Sequence, residues 1–163
     1  MIVAYLESAA AASPTFAERL REQLSAVGID RPTSDEWYSA RAFQTALFET
    51  ADSLDDETLR RIGRQMAALS GVADETDDLL GALTALNAAH ERTHRRVDDF
   101  TAYELRDVDE RAGEAVVACP SMPYPESVTR GAVAGVVDPH ADRVEIDSLP
   151  SSEDQFRFRV RWA

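Results

Sequence analysis

The chain of 163 residues contains no lysine, and all 17 of its basic residues are arginines. They stand against 30 aspartates and glutamates, which gives a net charge of −13. An acidic surface without lysine is typical of proteins from a high-salt cytoplasm, where salt screens the repulsion between like charges. The arginines are interspersed with acidic residues, so no basic stripe is available to neutralise nucleic-acid phosphates. We therefore expect a halophilic, cytoplasmic protein that does not bind nucleic acid.

Cysteine, glycine, proline and long apolar runs are also scarce. The single cysteine, Cys119, cannot form an internal disulfide, and seven glycines and seven prolines exclude a low-complexity chain. No apolar run reaches the roughly 20 residues of a membrane helix. The short apolar stretch at the N-terminus lacks the basic segment of a secretory signal. We expect one soluble domain over residues 1–163, with no membrane segment.

Helical periodicity dominates the first 96 residues. Ser13 followed by Pro14 is a helix start signal, and the apolar spacing after it predicts a helix that stops at Gly28. Three further helices are predicted, at 35–51, from 52 or 53 to 70, and 74–96. In the second of the four helices, Trp37, Phe43, Leu47 and Phe48 are expected to face inward.

The period changes to two after residue 97. Segments 100–108, 114–119, 143–149 and 155–162 are predicted strands, and a short helix over 126–137 separates the two pairs. Each pair is expected to form a hairpin. The predicted fold class is α+β, with N-terminal helices packed on a C-terminal β-β-α-β-β unit that forms a four-stranded antiparallel sheet.

His90 and His94 are four residues apart on the longest predicted helix, so both point to one side. With Glu91 they match the His-Glu-x-x-His spacing of zinc proteases, in which both histidines bind zinc and the glutamate is the general base. Such a site also needs a third protein ligand, and none is obvious nearby. The alternative interpretation is a solvated, charged helix end.

His90 continues an apolar stripe formed by Leu79, Leu83 and Leu86. A neutral imidazole on an apolar wall can be an axial ligand of haem iron, or simply a buried core histidine. Cys119, before a proline, could supply an axial thiolate or be a buried structural cysteine. Tyr124 lies between two prolines and either closes a pocket or fills the gap between helix and sheet.

Several segments together resemble the haem–nitric oxide/oxygen-binding (H-NOX) domains. They cover residues 59–67, 86–90, 100–109, 122–125 with 130–135, and the closing hairpin to 162, whereas the helical part over 1–34 matches poorly. The resemblance implies a sensor that is not an enzyme. His90 would be its axial haem ligand, with His94 as the alternative. Leu79, Leu83, Leu86, Cys119 and Tyr124 would belong to its pocket. A diatomic gas would be the signal and a partner protein in trans the recipient.

One motif of the family is not preserved. H-NOX domains hold the haem propionates with Tyr-x-Ser-x-Arg, and the best-matching positions here are Val117, Cys119 and Ser121. The wider superfamily includes vinyl-reductase-type and vesicle-tethering-like domains that contain no haem. The resemblance therefore leaves a second interpretation open, a haem-free domain that binds an apolar ligand or a partner protein and acts as a dimerising adaptor. The zinc protease is the third.

Overall fold

A computed structural model describes residues 2–94, 103–121, 124–152 and 155–163. Within these ranges the α-helices are α1 (Ile2–Ala12), α2 (Pro14–Ala26), α3 (Ala40–Ala51), α4 (Asp56–Ser70), α5 (Leu79–Thr93) and α6 (Glu126–Val137). The strands are β1 (Glu104–Asp109), β2 (Glu114–Pro120), β3 (Val144–Leu149) and β4 (Gln155–Trp162). The predicted α+β class and the β-β-α-β-β order are confirmed.

The sheet has the order β1-β2-β4-β3, with antiparallel pairing throughout. The two predicted hairpins are its outer pairs, and β2 joins them by pairing with β4 from Glu114 opposite Arg161 to Pro120 opposite Gln155. Strict alternation in β4 buries Phe158 and Val160, because successive side chains point to opposite faces. This face packs against helices, and the opposite face carries ion pairs such as that between Arg159 and Glu114.

The helices divide the interior into two clusters. One joins α1, α2, α3 and the start of α4, and the other joins the end of α4 with α5, α6 and the sheet. Helices α4 and α6 connect the two clusters by packing backbone against backbone. A Cβ atom at Gly63 would overlap the carbonyl oxygen of Val128, and one at Gly131 would overlap that of Arg60. Glycine at both positions therefore permits the close approach.

Several helix starts differ from the predicted ones. Helix α1 was not predicted, although it buries Tyr5 and Leu6. Helix α3 begins at residue 40 with Ser39 as its N-cap, so the segment that starts at residue 35 is not helical. Trp37 consequently lies outside the helix and is 53% exposed, and Phe48 is also exposed, against the prediction that both face inward.

Helices α4 and α5 also begin later than predicted, because neighbouring residues compete as N-caps. Asp55 caps α4 by accepting a hydrogen bond from the backbone N–H of Thr58, in place of residue 52 or 53. Asp78 caps α5, whereas residues 73–75 form a separate 3₁₀ turn. Ser, Thr and Asp all cap helices well, so a segment rich in them offers several starts.

Helix α5 ends at Thr93, with His94 already extended, and β1 begins only at Glu104, so both elements are shorter than the predicted 74–96 and 100–108. Residues 95–96 and 100–102 of those predictions lie outside the described ranges. In the part of the chain that the structure describes, no helix combines the length and apolar character needed to cross a membrane.

Candidate functional site

A partly open cavity of about 270 Å³ lies where α1, α4, α5 and α6 meet. Most of its wall consists of small or apolar side chains. Its described lining comprises Ala4, Met66, Ala67, Ser70, Leu86, Ala89, His90, Arg92, Thr93, His94, Tyr103, Tyr124, Val128, Thr129 and Ala132. A concave, mainly apolar site with a few polar groups is the usual form of a small-molecule pocket.

His90 forms part of this wall from the last turn of α5. Its side chain is buried, at 9% exposure. The ring meets that of Tyr103 edge-on at a centroid distance of 5.4 Å and lies 4.1 Å from the ring of His94. Burial, with a contribution from His94, lowers the pKa of His90 to about 3. The imidazole is therefore neutral at neutral pH, because desolvation penalises its charged form.

His94 ends α5 and folds back on the preceding turn. Its Nδ1 lies 2.9 Å from the carbonyl oxygen of His90. A carbonyl oxygen only accepts hydrogen bonds, so Nδ1 carries a proton in this contact. Burial lowers the pKa of His94, although the hydrogen bond to His90 opposes the shift. The cavity wall thus contains two adjacent imidazoles that both favour the neutral state.

Tyr124 belongs to an aromatic group between the cavity and the interior cluster formed by α1, α2, α3 and the start of α4. Its ring stacks on that of Tyr5 with a centroid distance of 5.8 Å and an interplanar angle of 12°. Phe43 meets both rings edge-on. The hydroxyl groups of Tyr5 and Tyr124 are buried and have no hydrogen-bond partner among the described residues. Burial raises the pKa of both phenols well above its ordinary value, so both remain protonated.

The predicted leucine stripe divides between two environments. Leu86 lines the cavity, but Leu79 and Leu83 do not, because they pack toward the sheet. Cys119, on β2, is fully buried in the same sheet-side core. Burial raises the pKa of its thiol far above the ordinary value, which opposes the thiolate that metal ligation needs. Leu79, Leu83 and Cys119 are therefore core residues outside the cavity wall.

The arrangement gives no support to a zinc protease. Glu91 is exposed and accepts a hydrogen bond from the side-chain amide of Asn87 at 3.0 Å, so it is engaged on the outer face of α5. In the described ranges, no group of three or more His, Cys, Asp or Glu residues is placed to hold a metal ion. Among the described residues, the His90–His94 pair therefore has neither a third ligand nor a positioned base.

Sequence analysis missed Tyr103 and the small residues of α4, Ala67 and Ser70, which also line the cavity. The sequence signal for Ala67 and Ser70 was indirect, because small side chains on a buried helix face leave space for a cavity. A second cavity of about 180 Å³ shares Arg92, Thr93 and His94 with the first and is also lined by Trp37. A larger cleft of about 450 Å³ between α4, α6 and β3 contains none of the predicted site residues and has many charged residues in its wall.

Comparison with known proteins supports the architecture. No family model and no curated relative matches the sequence. Solved structures do match. An oxygen-binding H-NOX domain related to soluble guanylate cyclases, in its oxygen complex, is 13% identical with a TM-score of 0.68, covering 99% of this chain and 92% of that one. A mutant of the T. tengcongensis H-NOX domain is 14% identical with a TM-score of 0.69 (97% and 93% covered). A structure concerned with H-NOX activation is 15% identical with a TM-score of 0.67 (99% and 95%).

The chain has the H-NOX fold. The predicted resemblance is thereby confirmed at the level of architecture, and the structural match also extends over residues 2–34, where the sequence match was poor. Fold similarity does not by itself assign a function, so the cavity must be tested on its own residues.

Haem can be tested against this H-NOX fold on four observations. The neutral imidazole of His90 suits an axial ligand. The volume of about 270 Å³, however, is below the roughly 300–1,000 Å³ typical of pockets for drug-sized ligands, and haem is itself a large ligand. The positions matched to the propionate motif are Val117, Cys119 and Ser121, the first two fully buried and none of them a cation. The ring of His94 also lies against that of His90. Among the described residues, the neutral His90 suits haem, whereas the small volume, the lack of a cation at the propionate positions and the adjacent His94 ring disfavour it.

Proposed function

We propose that this H-NOX-fold chain is a haem-free sensor or regulatory domain whose cavity binds a compact apolar ligand. The observation that carries the proposal is the wall itself, where small apolar side chains from four helices surround a cavity of about 270 Å³. Removing apolar ligand surface from water is worth roughly 25 cal/mol per Å², so such a wall favours an apolar occupant.

The position of the cavity gives binding a route to conformational change. Its wall combines α1 with α4, α5 and α6, and the last three of these helices also belong to the cluster that packs on the sheet. A ligand that binds one spacing of these helices better than another shifts the population between them. The proposed recipient of the signal is a partner protein in trans or a second copy of this chain.

A matched pair of variants tests whether the cavity is the binding site. Ala89 lines the cavity, and Ala88, the preceding residue of α5, is exposed and outside it. Titration calorimetry with 2-ethylnaphthalene should show binding to the wild type and to Ala88→Leu. Binding should be weakened by about tenfold or more in Ala89→Leu, because the larger side chain fills the cavity. Equal affinities in all three proteins would reject the cavity as the site.

Haem bound through His90 is the second candidate, because a neutral buried imidazole lines the wall. The chain would then be a sensor of a diatomic gas. The test is an absorption titration with haemin. For a haem-free domain we expect weak, non-stoichiometric uptake that is the same in the wild type and in His90→Ala. A Soret band at one haem per chain that disappears in His90→Ala would instead establish haem as the ligand.

A further inference from the structure

Five polar side chains of the cavity wall have no donor to offer a ligand. Ser70, Thr93 and Thr129 each donate to a backbone carbonyl oxygen within or beside their own helix, at 2.6, 2.8 and 3.4 Å. The hydroxyl oxygen of Tyr124 and Nε2 of His90 have almost no accessible surface, so nothing seated in the cavity reaches them. The interior formed by these groups therefore favours an apolar part of the ligand, and a polar part is favoured at the opening.

Arg92 lies at that opening, in the last turn of α5. It is exposed, and among the described lining residues it is the one side chain with a permanent charge. The neighbouring cavity of about 180 Å³ is lined by Arg92 as well. One guanidinium therefore borders both spaces.

Arg92 differs from the arginines of the 450 Å³ cleft in having no partner. It forms no hydrogen bond or ion pair with any described residue. Each arginine in the wall of the larger cleft contacts an acceptor, namely Arg60 with Glu57, Arg64 with Asp138 and Arg130 with the carbonyl oxygen of Ile146. Glu36, the acidic side chain in the described wall of the smaller cavity, accepts a hydrogen bond from the Tyr38 hydroxyl instead. The positive charge at the opening is thus available to a bound anion.

We infer that the ligand carries one carboxylate on its apolar body, with the body in the cavity and the carboxylate paired with the Arg92 guanidinium at the opening. This inference rests on the proposed function, because it specifies the ligand of the same cavity. Two parallel N–H groups of a guanidinium match the two oxygens of a carboxylate. Because Arg92 is exposed, the carboxylate keeps part of its hydration and avoids the cost of burying a charge. A dianion such as a phosphate monoester is disfavoured, since the described opening has a single cation and the chain has a net charge of −13.

Two probes of nearly the same shape isolate this ion pair. In 2-naphthylacetate, a carboxylate replaces the terminal methyl group of 2-ethylnaphthalene. In calorimetric titrations at about 0.1 M KCl, Arg92→Glu should weaken 2-naphthylacetate by about tenfold, because a repulsion replaces an attraction, and leave the hydrocarbon within about twofold. The difference between the wild type and Arg92→Glu should shrink at about 1 M KCl, because salt screens exposed charges.

Arg19→Glu is the matched control. Arg19 is exposed on α2 and lies outside the cavity, and its substitution makes the same change in net charge. Both affinities should stay within about twofold of the wild type in this control. Arg92→Gln removes the charge without reversing it and should weaken 2-naphthylacetate by about threefold, so it provides the test if Arg92→Glu does not fold.

The outcomes separate this inference from the proposed function. If the wild type binds the hydrocarbon but not 2-naphthylacetate, or if Arg92→Glu weakens both probes equally, the carboxylate is rejected, while hydrocarbon binding that is lost in Ala89→Leu still supports the cavity. If Arg92→Glu changes neither affinity, the inference also fails, and Arg92 serves only the end of α5, where the helix dipole favours a cation. Equal losses of 2-naphthylacetate in Arg92→Glu and Arg19→Glu would assign the effect to overall charge and overturn the inference. If the wild type binds neither probe, both proposals fail.

Discussion

The imidazole ring of His94 lies against that of His90, one helical turn earlier, with ring centroids 4.1 Å apart and planes tilted by 30°. Burial is the main cause of the lowered pKa of both residues, and for His90 the neighbouring ring adds to it. A proton on either ring would have to be accommodated in a poorly hydrated wall beside the other ring. Protonation of either histidine should therefore destabilise the folded protein at the cavity.

Lowering the pH should destabilise the protein over a pH range determined by the lowered pKa of His90. The folded pKa is about 3, below the ordinary histidine value of about 6.5, so the unfolded chain binds more protons between these limits. The free energy of unfolding should fall as the pH decreases from about 6.5 toward 3, with a slope of up to about 1.4 kcal/mol per pH unit from this residue. Urea unfolding at pH values from 7 to 5 measures it.

A pair of variants tests whether this pH dependence of stability arises from His90. His90→Gln should lose stability less steeply between pH 7 and 5 than the wild type does. Ala88→Gln is the control, because Ala88 is exposed on the same helix and lies outside the cavity, so the variant should retain the wild-type slope. Identical slopes in the wild type and in His90→Gln would contradict the assignment.

The elements predicted best are those with sharp local signals. Helix α6 has the predicted bounds, because Pro125 is extended before it and the chain tightens into a 3₁₀ turn directly after Val137. Strand β4 alternates apolar and polar residues over its whole length, and its bounds also match. Helix α1 was missed because its apolar residues form a nearly continuous run without a cap signal. Its place in the fold depends on tertiary contacts that no local pattern contains.

The candidate site shows the same limit. Periodicity correctly predicted that Leu83, Leu86 and His90 are buried, but it could not distinguish a wall that faces a cavity from one that faces a sheet. That distinction is made by partners far along the chain. Ala67 on α4 and Ala132 on α6 are small and leave space beside Leu86 and His90, whereas Val117 and Phe158 pack in the core that contains Leu83.

A methyl group at Gly131 should be poorly tolerated. Its Cβ would overlap the carbonyl oxygen of Arg60 on α4, so the two helices would have to separate. We expect Gly131→Ala to destabilise the protein by about 1–3 kcal/mol or more, as overpacking does. Gly81→Ala is the control. A Cβ atom at Gly81 would lie 3.2 Å from the Asp78 carboxylate, which is a slightly tight contact with a side chain. The helix preference of alanine over glycine, about 1 kcal/mol, should offset this contact, so stability should change little. Urea unfolding compares the two, and equal losses would contradict the packing argument.

Salt should stabilise the chain. Raising the ionic strength from 0.1 to 1 M shortens the screening length from about 10 to about 3 Å, which weakens the repulsion arising from a net charge of −13. Exposed ion pairs such as Arg64 with Asp138 weaken as well, but each contributes only about 0–1 kcal/mol. The melting temperature should therefore rise between 0.1 and 1 M KCl. KCl is preferred to sulfate, since sulfate stabilises most proteins by exclusion from their surface. A constant or falling melting temperature would show that repulsion is not the dominant effect.

Substitutions of Leu83 and Leu86 should distinguish effects on stability from effects on ligand binding. Both are buried, but Leu83 packs in the sheet-side core and Leu86 also lines the cavity. Leu83→Ala opens a new void in a packed region and should cost about 2–5 kcal/mol, while the affinity for 2-ethylnaphthalene stays within about twofold. Leu86→Ala extends a space that already exists, so it should destabilise less. It should also weaken the hydrocarbon severalfold, because the ligand loses contacts with the wall. Urea unfolding and calorimetry on the same samples measure both quantities. Weaker ligand binding in Leu83→Ala than in Leu86→Ala would mean that the ligand occupies the sheet-side core, and the cavity between the helices would not be the site.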